Sequence, residues 1–383
     1  GDAVALTREL VRIDSRNPSL VPGAPGERLV AGALAAVLRA WGFAVDVVDA
    51  APGRPNVIAR VGRAGGRTLM FNGHLDVVGI DGMTHAPFDA AVQDGRLWGR
   101  GSTDMKGGVA AMCAAAARAA DAGLEGEIVI AAVADEEYDS VGTRAVIAQG
   151  VRADAAIVTE PTRLAIAPAH RGFVWLTVTV RGRAAHGSRY DIGVDAIRNA
   201  GLLLAELDAF EEHELARRTH PLLGRASWHA STVAGGTGMS TYPDRCVLRI
   251  ERRTLPSESP AQAFEEVREA CARVRARRPA FDAELSLDIA QSPSDVSPEA
   301  PVVRALAAAL GEANEAVRIE GLSAWTDAAL LNEAGIPAIC YGPGDIGLAH
   351  AAAEWVEVAE IERATHVLAV LARRWCAGGS WRA

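Results

Sequence analysis

A chain of 383 residues is longer than one hydrophobic core usually serves, so length alone favours two domains. With 49% apolar, 23% charged and only 5% aromatic residues, disorder and a collagen-like repeat are excluded, and the core must be built mainly from Ala, Val, Leu and Ile. The formal charge of -9 and the lack of a basic, aromatic-interleaved stripe exclude the footprint that a phosphate backbone demands, so no nucleic-acid partner is expected.

The first residues read as a short amphipathic helix with Asp2 as its N-cap, without the basic-then-apolar layout of a signal peptide. The stretch 107–120 is mostly alanine, is broken by Arg118 and Asp121, and is too short and polar to span a bilayer. Cys113, Cys246, Cys271, Cys340 and Cys376 are widely spaced and form no CxxC pair, which fits reduced core residues and a cytoplasmic location.

Strands are expected over 67–76, 126–137 and 153–161, with an alanine-rich crossover helix over 106–123, the pattern of an α/β domain with a largely parallel sheet. From about Phe173 the pattern becomes strict alternation, over 175–184 and again over 244–254, which predicts antiparallel strands with one covered face. Helices over 194–216 and 259–278 accompany them, the second opened by Ser259 with Pro260 at its first position. A Ser/Pro/Asp stretch, 291–301, precedes a helix over 303–315, a strand over 337–344 and a final helix over 357–375. The reading is therefore a discontinuous α/β domain of residues 1–169 and 291–383, interrupted by a smaller α+β domain of 170–290.

Each parallel strand runs directly into polar residues, and ligands of open α/β sheets bind beyond the carboxyl ends of strands. His74 and Asp76 share one face at the end of the first strand, so one could bind a metal while the other fixes its tautomer; a structural His–Asp pair reads equally well. Asp104 lies in the glycine-rich turn GRGSTDMKGG, which lacks the phosphate-loop spacing; taken alone it fits a helix N-cap. Glu136 and Glu137 follow seven apolar residues, where adjacent carboxylates repel unless a cation lies between them or one holds a proton, as a general base near neutral pH would. A solvated acidic loop is the plainer alternative. Glu160 ends the next strand and His350 follows the turn YGPGDIG. As a set these are the N and O ligands of zinc or a similar divalent ion, and so many carboxylates balance two ions better than one.

In order along the chain, NGHLDVV, GRGSTDMKGG, DEE, TEPT, AHGS, YPDRCVLRIERR and GPGDIGLAHAAAE resemble the di-zinc hydrolase family of aminoacylases, acetylornithine deacetylase, succinyl-diaminopimelate desuccinylase and carboxypeptidase G. The resemblance implies two divalent ions, Zn with Co or Mn as substitutes, held by His74, Asp104 (bridging), Glu137, Glu160 and His350. It further implies Glu136 as general base, Asp76 orienting His74, and a smaller domain acting as lid or dimerisation module in a homodimer. His186, by itself an ordinary loop histidine, becomes the residue that stabilises the oxyanion in a partner subunit. Arg253 matches the arginine that holds a substrate carboxylate, against the simpler reading of a surface strand arginine, and Gly344 falls among the substrate contacts. Ser240 departs from the pattern, standing where the family often has Asn. The implied activity is hydrolysis of an N-acyl amino acid or short peptide with a free carboxylate. Its rivals are an amidase or aminohydrolase for another small amide or aromatic amine, suggested by Ser240, and a non-hydrolytic metal-binding protein, which would have no need of Glu136.

Overall fold

The computed structural model describes residues 1–377, which divide into two compact units. The first comprises Gly1–Pro168, Val296–Gly321 and the chain from Thr326 onward; the second comprises Ala169–Asp295 together with Leu322–Trp325.

In the first unit, helix α1 (Ala3–Val11) starts where the Asp2 carboxylate accepts the Ala5 N–H at 3.0 Å, and helix α2 (Arg28–Ala40) buries Val30, Leu34 and Leu38 along one stripe. Strands β1 (Ala44–Ala51) and β2 (Arg54–Gly62) form an antiparallel hairpin. Strand β3 (Thr68–His74) is buried on both faces, as a central parallel strand must be. Helix α3 (Gly107–Asp121) owes its burial to small side chains: a Cβ on Gly108 would lie 2.0 Å from the Thr159 carbonyl oxygen, so only glycine lets the helix settle there. Strand β4 (Glu127–Val133), helix α4 (Val141–Ala148), strand β5 (Ala155–Val158) and strand β6 (Ile166–His170) follow, and the chain leaves the first unit within β6.

In the second unit, strand β7 (Gly172–Arg181), helix α5 (Ala196–His213), strand β8 (Ser227–Gly235), strand β9 (Arg245–Thr254), helix α6 (Pro260–Arg277) and strand β10 (Asp282–Gln291) build an antiparallel sheet of order β8-β9-β7-β10. Val174, Leu176, Val178 and Val180 alternate inward from β7 and pack with Leu203 and Leu207 of α5 and Val267 and Val274 of α6. The Ser259 hydroxyl accepts the Gln262 N–H at 3.1 Å with Pro260 at the first helical position, the start that the sequence predicts. Leu322–Trp325 joins this unit without a sequence signal; the Trp325 indole N–H donates to the Ser292 carbonyl at 2.9 Å, and its ring meets Phe173 edge-on.

Back in the first unit come helix α7 (Pro301–Glu312), helix α8 (Ala328–Glu333), strand β11 (Ala338–Cys340) and helix α9 (Val358–Trp375). Its sheet runs β1-β2-β4-β3-β5-β11-β6, with β4, β3, β5 and β11 mutually parallel, so the expected α/β class with a largely parallel sheet holds. Helix α3 packs on α9 and β3, whereas α4 packs on α8 and β4. Parallel strands end at the same edge, and that edge receives the polar residues. All five cysteines are free, and among the described residues no helix is long and apolar enough to cross a membrane.

Candidate metal centre

His74 is the last residue of β3; Glu136 and Glu137 follow β4; Glu160 follows β5; His350 comes from the segment after β11. Asp104 projects from the turn Ser102–Lys106 ahead of α3. It does not cap that helix, whose N-cap position belongs to Lys106, without a side-chain hydrogen bond. Its carboxylate instead stands between two imidazoles, Oδ1 at 3.0 Å from His74 Nε2 and Oδ2 at 3.3 Å from His350 Nε2. Glu137 completes one side, 3.0 Å from His350 Nε2, and Glu160 the other, 3.9 Å from His74 Nε2. Glu136 also lies 3.9 Å from His74 Nε2.

The supports explain how this crowd is held. His74 Nδ1 is 2.9 Å from the main-chain carbonyl of Asp76, which fixes the tautomer that leaves Nε2 free to ligate. The contact from Asp76 to the ring is made by its main chain, and its carboxylate lies 3.8 Å from the same nitrogen. The carboxylate turns instead to the Glu136–Glu137 turn, accepting the Glu136 N–H at 3.1 Å and the Glu137 N–H at 3.2 Å. Asn17 donates to Asp76 at 2.8 Å and to Asp135 at 3.0 Å, and Asp135 in turn meets Arg54, which is paired with the fully buried Glu27. Asp135 and His350 both adopt positive φ, 68° and 60°, a conformation a side-chain-bearing residue keeps only where its surroundings impose it.

The polypeptide's own charges make the cluster avid for cations. Burial pushes Glu136 and Glu160 well above the ordinary carboxylate range, reinforced for Glu160 by the charge of Asp104 and for Glu136 by that of Glu160. Burial and the neighbouring Asp104 raise Glu137 as well. Burial opposes a proton on His74, yet its hydrogen bond to Asp104 and the charge of Glu136 hold the imidazole well above its usual range. His350, whose side chain is half exposed, rises to about 10 because its contacts with Asp104 and Glu137 outweigh the partial loss of water around the ring. Asp104, although buried, is kept below the ordinary range by its bonds to both histidines.

Ligand atoms of His74, Asp104 and Glu137 lie within 4.8 Å of one another, as do those of His74, Glu136 and Glu160. Imidazole and carboxylate donors of this kind fit divalent ions, and a shared Asp104 fits two of them.

Residues 70–374 match peptidase family M20/M25/M40. The chain belongs to that family. Acetylornithine deacetylase from Myxococcus xanthus is 32% identical over 355 residues, covering 89% of this chain and 90% of that protein. N-formyl-4-amino-5-aminomethyl-2-methylpyrimidine deformylase from Bacillus subtilis (strain 168) is 28% identical over 404 residues, covering 96% and 95%. Among solved structures, an M20 family metallo-carboxypeptidase from Sulfolobus solfataricus superposes with a TM-score of 0.82 at 16% identity, over 98% of this chain and 99% of that one.

In this M20 hydrolase, the first unit brings together His74, Asp104, Glu136, Glu137, Glu160 and His350. Gly344 lies on the turn leading to His350; its φ is 92°, its N–H donates to Glu360 at 2.7 Å, and an added Cβ would lie 2.5 Å from Thr103 Oγ1. His186, Ser240 and Arg253 belong to the second unit. His186 is exposed, its Nδ1 2.9 Å from the Ser188 hydroxyl, and the Gly187 N–H donates to the Ser240 carbonyl at 2.7 Å, so this loop holds His186 and Ser240 side by side. Arg253 pairs with Glu251 and lies over the Phe173 ring. No sequence pattern pointed to Asn17, Glu27 and Arg54, because polar residues that meet only through folding have no periodicity.

Proposed function

We propose that this chain is a two-metal hydrolase that removes the acyl group from an N-acyl amino acid, or cleaves a short peptide, with Glu136 moving the proton. The observation that carries the reading is Asp104, one oxygen toward each imidazole, with Glu160 on the His74 side and Glu137 on the His350 side. In this reading His74, Asp104 and Glu160 hold one ion, and Asp104, Glu137 and His350 the other. Zinc is the natural occupant of such an imidazole and carboxylate set, with Co or Mn as alternatives. When bound, the ions supply Lewis acidity that polarises the scissile carbonyl and acidifies water.

The chain's residues do the rest. Glu136 is as near His74 as Glu160 is, so distance alone does not separate ligand from base. The motif order assigns Glu160 to the ion and leaves Glu136 to take the proton of the attacking water and deliver it to the leaving nitrogen. Burial equips it, because a carboxyl raised toward neutrality both accepts and returns a proton at working pH. His186 is assigned to the oxyanion in the partner subunit of a homodimer, and Arg253 to the substrate carboxylate, where a guanidinium fork binds bidentately.

The Myxococcus xanthus deacetylase supports deacylation. A second reading, an amidase for a substrate lacking an acid group, is favoured by Ser240 and by the Bacillus subtilis deformylase, whose name contains none. Turnover of the zinc-loaded chain on N-acetyl and N-succinyl amino acids, dipeptides and a formylated aminomethylpyrimidine separates them. Preference for the acyl amino acids or dipeptides supports the first reading; turnover of the pyrimidine alone replaces it with the second.

A further inference from the structure

Glu354 lies four residues beyond His350 and is completely buried, yet it is a charged side chain that the proposed chemistry does not use. Its Oε1 accepts the main-chain N–H of Thr103 at 3.0 Å and of Asp104 at 3.2 Å, and its Oε2 accepts Arg100 Nη1 at 2.6 Å. Arg100 is itself buried and donates through Nε to the Gly79 carbonyl at 3.0 Å. Two further bonds tie the same two segments: the Thr103 hydroxyl donates to the Trp355 carbonyl at 2.9 Å and the Gly99 N–H to the Glu354 carbonyl at 3.2 Å.

A buried ion pair is a poor source of stability, since apolar side chains of similar size usually serve as well. What apolar side chains cannot do is accept two main-chain N–H groups in a turn whose distorted dihedrals deny them a helical partner. We propose that Glu354, anchored by Arg100, is a positioning residue for the metal centre. It holds the main chain of Asp104 so that this one carboxylate stays between His74 and His350, and it does so from the segment that carries His350. The placement of two ligands is thereby made a single event. This rests on the two-metal reading above.

The test compares two variants of the full chain that both lack the buried ion pair, one keeping and one removing the oxygen that accepts the two N–H groups. Arg100→Met with Glu354→Gln keeps a carbonyl oxygen for the two N–H groups; Arg100→Met with Glu354→Met removes it. Each chelated protein is titrated with Co(II), following visible absorption for affinity and ligand geometry, and its thermal midpoint is measured without metal. The Gln variant should bind two ions with dissociation constants within about threefold of wild type, whereas the Met variant should weaken at least one by about 10- to 100-fold and shift its absorption band. Equal affinities and spectra in the two variants overturn the proposal, and a difference confined to the metal-free thermal midpoint overturns it too, by reducing Glu354 to a stabilising role. If the Met variant does not fold, Glu354→Asp with native Arg100 replaces it: the charge remains but the acceptor recedes by one methylene. The same weakening is expected there, and wild-type affinity overturns the role. A wild-type chain that fails to bind two Co(II) ions overturns the two-metal reading itself, which keeps the two failures apart.

Discussion

At the scale of single residues, Glu136 and Glu160 pose the sharpest question, because they stand at the same distance from His74 and both have carboxyls raised by burial. If one is the base and the other a ligand, their amides must behave differently. Glu136→Gln should retain both ions and lose about 10²- to 10⁴-fold in turnover, while Glu160→Gln should lose metal first and activity with it. Metal content by elemental analysis beside turnover decides it, and an active Glu136→Gln enzyme with full metal would sink the assignment. Proton linkage gives a second expectation. His350 holds its proton up to about pH 10 in the polypeptide alone, so an ion must displace that proton: affinity should climb as pH rises toward 10, with protons released on binding. In the chelated fold the sign is opposite, since a raised imidazole pKa adds stability below its ordinary value of 6.5, and that contribution disappears as pH rises through about 10. Calorimetric titration in buffers of different ionisation heat counts the released protons; a count of zero at neutral pH would contradict the ligand role of His350.

At the scale of elements, the centre is where parallel strands end, and its precision comes from how closely the neighbouring elements approach. Gly108→Ala would drive a Cβ into the Thr159 carbonyl, next to Glu160, and α3 and β5 would have to separate. Overpacking of this kind costs about 1–3 kcal/mol, and here it should also weaken metal binding by moving Glu160; denaturant melts with and without zinc measure both. Asp76→Asn tests the turn after β4. Three donors, the Glu136 and Glu137 N–H groups and the Asn17 amide, converge on two carboxylate oxygens, and an asparagine presents an NH2 to at least one of them. A loss of about 1–3 kcal/mol follows from the unsatisfied group, readable in the same melts. These two sites also show what the sequence could and could not reveal. His74, Glu136, Glu137 and Glu160 were legible because apolar strands that stop at polar residues mark their own carboxyl ends, and the parallel sheet collects those ends. Asp104 was legible only as a residue of a glycine-rich turn, since its stance between two histidines depends on segments far apart in the chain. Asp76 stands beside His74 as period-two geometry predicts, but that geometry says nothing of the Glu136–Glu137 turn, whose N–H groups its carboxylate accepts. Leu322–Trp325 joined the second unit unannounced, because its Trp325 and Phe173 meet across a separation that no local pattern encodes.

At the scale of the whole molecule, the residues to which the proposed function assigns catalysis are spread over two units, with the proposed ligands in one and His186 and Arg253 in the other. If His186 serves the centre of a partner subunit, two inactive chains should restore each other. In a heterodimer of Glu136→Gln with His186→Ala, one centre combines both lesions, while the other combines a native Glu136 with the native His186 contributed by its partner. Random mixing of equal amounts makes half the dimers mixed, each with one intact centre of two, so about a quarter of wild-type activity should return. Should His186 act within its own subunit, every centre in the mixture carries a lesion and nothing returns. The experiment requires unfolding and refolding together, with sedimentation to verify that dimers form. The same mixture made with Glu137→Gln in place of Glu136→Gln should recover equally, since each lesion stays on the ligand-bearing unit of its own chain. Recovery with one and not the other would mean that a ligand variant fails to fold or pair, and activity of the separated dimers tells that apart from a histidine acting at home.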